Sequence, residues 1–228
     1  MPFITSCQKQ IWCQRTEPQN GKNIFFIPRH RSGVTDSKTI ATMESMAVEK
    51  GYGFASFDYA GYGKSGGEAK LWQLEEWLQN ALDVFDEINA ENNYVMGYSM
   101  GGYLALALAL LRPAKTKGVL GLMPGFGQSF VQDRKDKQFI ADLGGKIKIH
   151  VKINESPFYS FIDQPLDINV PAFMLTSLGD ETVNYQSSLS ILKNIKSENA
   201  TVLMLKDAPH HPVNAQSLKL LLEFIENN

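Results

Sequence analysis

The sequence predicts an α/β domain built on a mostly parallel central sheet flanked by helices. Two patterns carry that expectation. Short apolar segments closed by turn residues alternate with helix-like stretches, and the segments "FMLTS" and "VLML" are apolar almost without a break. Unbroken apolarity suits strands buried on both faces, as in a parallel sheet, better than strands with one wet face. Alternation of the two element types then implies parallel neighbours joined by right-handed crossovers.

Taken in order, residues 3–17 can form an opening hairpin. Strand segments follow at 23–28, 54–58, 94–97, 118–123, 172–177 and 201–206, each running into turn residues. Helix-like stretches lie between several of them, at 36–50, 71–90, 101–111, 185–196 and 215–226. Residues 125–169 break the rhythm with charge-rich "QDRKDKQF", then "GGKIKIHVKI", then aromatic "SPFYSF". A segment this long between two strands is an insertion or a loop with a job. It is expected to form a short lid over the C-terminal edge of the sheet. No Pro/Gly/Ser linker flanks it, so residues 1–228 are expected to be one domain carrying a lid insertion.

Composition narrows the classes. With 228 residues the chain can bury a substantial core, and a net charge of −2 gives no reason to expect a nucleic acid or an anionic membrane surface as partner. The longest apolar run, residues 103–111, is too short to span a bilayer. Residues 1–13 lack the basic and apolar regions of a secretory signal, so a cytoplasmic location is expected, with Cys7 and Cys13 as reduced thiols. No cluster of metal-ligand residues accompanies them, and neither a metal nor a cofactor is implied.

The chemistry concentrates in four places. "NYVMGYSMGGYLALALALL" passes from a strand pattern through Gly97-Tyr98-Ser99-Met100-Gly101 into a helix. A serine bracketed by glycines at such a turn is a candidate nucleophile, and the helix that follows points its N–H groups at it, with Met100 as an oxyanion donor. The bland alternative is a tight βα connection. A serine nucleophile needs a base, and the chain has only His30, His150, His210 and His211. "KDAPHHPV" puts His210 and His211 just past the last strand segment. His210 is the better candidate, because Pro212 restricts the residue before it and His211 is expected to face outward. His150 lies in the lid and His30 on an early loop. For the acid, Asp180 in "MLTSLGDETV" follows a buried strand and stands between serine and histidine in the chain, with Glu181 as the fallback. Asp163 and Asp167 precede that strand and would lie at its wrong end.

Together these segments resemble the α/β-hydrolase superfamily and, within it, the small serine hydrolases of the ABHD10-type palmitoyl-protein thioesterase group. The likeness rests on "FFIPRHRSGVTDSKTIATMESMAVEKGYGFASFDYAGYGKSGGE", "GYSMGGYLALALALLRP", "SLGDETVNYQSS" and "KDAPHHPV". It implies a triad of Ser99, Asp180 and His210, and a second oxyanion N–H from the loop after the first central strand, assigned to His30. Where that group usually has glycine, this chain has Arg29. Either a positive φ strains the arginine, or the turn is remodelled and the guanidinium reaches the substrate. "DYAGYGKSGG" (residues 58–67) reads as a structural rim, since no helix-opening Gly-Lys-Ser/Thr follows it.

The expected function is hydrolysis of a carboxylic ester or acyl thioester, on a small molecule or an acyl-protein, through an acyl-enzyme. The other classes that fit are a serine-triad acyltransferase and a catalytically silent binding protein. Phe126, Phe130, Phe139, Phe158, Tyr159 and Phe161 in the lid suggest an apolar acyl pocket, although they would serve equally to bury the lid on the sheet.

Overall fold

The computed structural model describes residues 2–30, 32, 34, 37–69, 74–125, 138–142, 148–152, 165–211 and 214–228. The chain opens with strands β1 (Phe3–Ser6) and β2 (Lys9–Thr16), paired antiparallel as the expected hairpin. Cys7 and Gln8 form its tip with φ of 47° and 62°, the left-handed pair that matches a two-residue turn to the twist of the strands. Five further strands then build the middle of the sheet: β3 (Lys22–Ile27), β4 (Gly53–Phe57), β5 (Asn92–Tyr98), β6 (Thr116–Leu122) and, after the insertion, β9 (Ala172–Ser177). Strand β10 (Ala200–Leu205) completes an eight-stranded sheet of order β1-β2-β4-β3-β5-β6-β9-β10. β2 runs antiparallel to β4, and every pairing from β4 to β10 is parallel.

Alternation along β5 sends side chains to two cores. Val95 joins one buried cluster, while Tyr94, Met96 and Tyr98 join the other. Helices α1 (Lys38–Glu49) and α5 (Ala215–Glu226) cover the second face. Buried Leu218, Leu221, Leu222 and Ile225 line α5 at i, i+3, i+4 and i+7, a helix-period apolar stripe. Each of these buried side chains contributes about 1.5–3 kcal/mol relative to exposure. Both helices begin at capped positions: Ser37 accepts from the Ile40 N–H, and Asn214 from the Ser217 N–H.

Helices α2 (Leu74–Asp86), α3 (Met100–Leu111) and α4 (Gln186–Asn194) pack on the first face. α3 is buried all round from Met100 to Ala109, which explains why its sequence carries no polar stripe. It lies against β3, β5, β6 and α2. The consequence is positional: packing on all sides from Met100 to Ala109 holds the helix's first turn at the sheet's C-terminal edge.

The insertion departs from a plain loop. Within it β7 (Gln138–Asp142) and β8 (Lys148–Lys152) form an antiparallel pair, separate from the main sheet. Phe139 and His150 fall on these strands. The remaining aromatics invoked for the lid, Phe126, Phe130, Phe158, Tyr159 and Phe161, lie outside the described residues, as do Asp163 and Pro212.

Candidate active site

The C-terminal ends of β5, β9 and β10 converge on one point. At the end of β5 the chain turns into α3 through Ser99, whose φ of 53° and ψ of −120° place a non-glycine residue in a region that costs about 1–3 kcal/mol. The surrounding structure over-determines that conformation. The Ser99 N–H donates to Leu122 O at 3.0 Å, and Ser99 O accepts from the N–H groups of Gly102 and Gly125, each at 2.9 Å. The flanking glycines are required by close approach: a Cβ on Gly97 would sit 2.0 Å from Gly101 O, and one on Gly101 would sit 2.2 Å from Ile27 O. No side chain fits either gap. The turn therefore folds as a sharp strand-to-helix elbow with the serine at its apex.

β9 delivers the carboxylate. Its exit turn is tied to that of β10, the Leu178 N–H donating to Leu205 O at 2.9 Å. Asp180 Oδ1 accepts from the Thr182 and Val183 N–H groups at 2.8 and 2.9 Å, and its Oδ2 lies 2.7 Å from His210 Nδ1. Burial of the side chain would raise this carboxyl; the bonds from His210 and the two N–H groups outweigh it and hold Asp180 below the usual carboxylate range. With its Nδ1–H given to Asp180, the His210 ring presents Nε2 to Ser99 Oγ at 3.0 Å. Ser99 and His210 are 7% and 5% exposed, and the Asp180 side chain is 0% exposed, so the three form a continuous hydrogen-bonded line shielded from bulk water.

The other expected residues sort as follows. Met100 is the first residue of α3, where a helix leaves its N–H groups without intrahelical partners. His30 stands on the turn after β3, next to Ile27 and Pro28, whose carbonyls abut Gly101. Its ring packs on Trp77 and Tyr62, with centroids 5.2 and 6.4 Å away. The non-glycine residues with positive φ among those described are Cys7, Gln8, Ser99 and Met123, so Arg29 carries no left-handed strain. Asp167 is exposed at the opposite end of β9 and pairs with Lys196 at 3.0 Å. Glu181 is exposed and holds no bond in this line.

Two relationships escaped the sequence. His211 is exposed, as expected, yet its Nδ1 meets the Tyr98 hydroxyl, which also donates to His210 O at 2.9 Å. The signal was present in the doubled histidine, but a residue's neighbours across a sheet edge cannot be read from its own segment. The rim segment 58–67 also acts on the site's frame. Buried Asp58 accepts from the N–H groups of Val34 and Lys64 at 2.5 and 2.8 Å, and the Tyr59 hydroxyl donates to Pro28 O at 2.7 Å. The rim thus fastens the turn that bears Arg29 and His30. Among the described residues no helix is long and apolar enough to cross a membrane.

Comparison with known proteins agrees with this architecture. A family model described as Hydrolase_4, serine aminopeptidase S33, matches residues 36–166. The mitochondrial palmitoyl-protein thioesterase ABHD10 of Rattus norvegicus is 26% identical over 225 residues, covering 91% of this chain and 75% of that one. The solved structure of mouse alpha/beta hydrolase domain-containing protein 10 superposes with a TM-score of 0.86 at 22% identity, over 99% of this chain and 96% of that one. Est1E from Butyrivibrio proteoclasticus, solved with ferulic acid, superposes with a TM-score of 0.78 at 18% identity, over 98% and 99% of the two chains. The fold is that of an α/β hydrolase. The rat protein's name places it in mitochondria, and the expectation of a cytoplasmic location gains no support from it.

Proposed function

As this chain belongs to the Hydrolase_4 (serine aminopeptidase, S33) family of α/β hydrolases, we propose that it is a serine hydrolase that cleaves carboxylic esters or acyl thioesters through an acyl-enzyme. The observation that carries the reading is the line Asp180–His210–Ser99 set on a strained elbow. Ser99 Oγ attacks the acyl carbonyl carbon while His210 Nε2 takes its proton, and Asp180 holds the imidazole in the one tautomer that leaves Nε2 able to accept. Negative charge developing on the carbonyl oxygen is met by the N–H groups of Met100 and His30. Collapse expels the alcohol or thiol, protonated by His210, and water on the same base releases the acid. The acyl preference rests on the aromatic content of segment 125–169, which suits an apolar acyl pocket, and the rat relative's name, palmitoyl-protein thioesterase, is in keeping with an acyl substrate. We read residues 1–228 as one such domain with the segment 125–169 inserted.

The test pairs a covalent probe with a substrate panel. A fluorophosphonate is expected to label Ser99, and p-nitrophenyl esters and acyl thioesters are expected to turn over with kcat/KM rising from acetyl into medium chains, by up to about fourfold per buried methylene. Labelling at another residue would overturn the assignment. Efficient cleavage of peptide amides with poor ester turnover would move the reading to a peptidase, as the family's description would have it.

A further inference from the structure

We propose that Tyr98 and His211 are positioning residues that lock the base loop to the nucleophile elbow. The proposal rests on the triad reading above. Tyr98 is the residue immediately before Ser99, His211 the residue immediately after His210, and the two side chains meet through Tyr98 Oη and His211 Nδ1. Tyr98 is 2% exposed and anchored as the last residue of β5, in register with Leu122 of β6. Its hydroxyl also donates to His210 O at 2.9 Å. A hydroxyl has one proton to give, so both contacts are satisfied together only if the His211 Nδ1–H donates to Tyr98 Oη and the Tyr98 O–H donates to the His210 carbonyl.

Two adjacent residues at the exit of β5 thereby grip two adjacent residues past β10. One rung is Ser99 to His210, and the other is Tyr98 to His211. A single hydrogen bond leaves a ring free to swing about it, whereas two rungs and a backbone carbonyl fix both the distance and the orientation of Nε2 toward Oγ. The rings pack accordingly: His210 and His211 lie 4.2 Å apart, and Tyr98 lies 5.2 Å from His211 and 5.9 Å from His210. The charged and titratable groups facing His211 are His210, Arg29, Asp180 and Tyr98. Desolvation of its inner side, packed on Tyr98 and His210, comes first, then coulombic repulsion from the His210 and Arg29 positions against the opposing Asp180, and together they lower its pKa to about 4. His211 is accordingly neutral at physiological pH, and it adds no second cation beside the imidazolium that forms when His210 takes the serine proton.

The experiment measures fluorophosphonate labelling rate and p-nitrophenyl ester turnover for Tyr98→Phe, His211→Ala, the double variant, and His211→Asn. Asparagine sets an N–H close to where Nδ1–H stands in histidine. Each of the first two is expected to lower labelling rate and kcat by roughly 10- to 100-fold while KM moves by less than about threefold. The double variant is expected to lose far less than the product of the single losses, because both remove one shared contact. His211→Asn is expected to recover most of the rate. Near wild-type rates in both single variants, losses that multiply, or a folded His211→Asn no better than His211→Ala would each overturn the proposal. Circular dichroism and thermal melting report on the fold. If His211→Ala does not fold, Tyr98→Phe, which removes one oxygen atom, carries the test. Ser99→Ala separates the two levels. Residual turnover there would sink the triad reading itself, whereas a silent Ser99→Ala beside a fully active Tyr98→Phe would sink only the lock.

Discussion

His210 Nε2 lies 3.0 Å from Ser99 Oγ although 111 positions separate the two residues in the chain. In the sheet, β6 and β9 stand between the strands that carry them. His210 therefore reaches across two strand exits, on a loop that the Asp180 turn and Tyr98 hold from either side. Ser99→Ala is expected to abolish turnover, by on the order of 10⁴-fold or more in kcat, with an unchanged circular dichroism spectrum. His210→Ala is expected to match it. Turnover near the wild-type rate in either variant would contradict the roles assigned.

Asp180→Asn keeps the size of the acid and removes its charge. The amide can donate to His210 Nδ1 and so select the tautomer whose Nε2 carries the proton, leaving Ser99 without a base. A loss approaching 10⁴-fold in kcat at neutral pH is expected. The equivalent change at Glu181, exposed and outside the line, is expected to leave kcat within about twofold.

Acid should weaken the fold in two stages. The unfolded state protonates a histidine near its ordinary value of 6.5, whereas folded His211 resists until about 4. Between those values the unfolded state binds the extra proton, so stability falls as pH drops through that window and this contribution levels off below it. Asp180, held below its ordinary value of 3.8, stabilises the fold above that value and loses its contribution as pH falls through the depressed one. Because His211 is exposed on one side, its slope is shallower than a full proton. Urea midpoints at pH 7, 5 and 4 are expected to fall less steeply for His211→Asn than for the wild type. Parallel slopes would contradict this assignment.

Gly101→Ala introduces a methyl group 2.2 Å from Ile27 O and 2.7 Å from Pro28 O. Backbone must move, at a cost of about 1–3 kcal/mol or more. The displaced turn bears His30, so thermal melting and labelling rate are expected to fall together. A variant that melts lower yet labels normally would show that the turn after β3 plays no part in reactivity.

Much of this was legible one segment at a time. "FMLTS" gave β9 because an unbroken apolar run belongs inside a parallel sheet, and the glycines around Ser99 marked the elbow because no Cβ fits there. The positions of Asp180 and His210 followed from chain order and strand ends. What escaped was lateral. Nothing within "DYAGYGKSGG" says that Asp58 and Tyr59 fasten the turn after β3, since the acceptors and donors come from Pro28 and Val34. Likewise His211 is outward by exposure, and only the arrival of β5 beside its loop supplies Tyr98 as its partner. Side-chain period and turn chemistry are local quantities, whereas such bonds depend on which strand exits become neighbours.

β10 closes the described sheet on one side and pairs only with β9 there. None of its six residues is fully buried, in contrast to β9, all of whose residues are. A strand secured along one edge opens by local fluctuation at far lower free energy than the doubly paired centre, and its amides exchange with solvent without global unfolding. Because the loop bearing His210 hangs from the end of this strand, heat is expected to silence the enzyme by fraying β10 away from β9 while β3, β5 and β6 remain folded. Inactivation would then precede the melting transition, and a ligand bridging Ser99 and His210 would protect the β10 amides first.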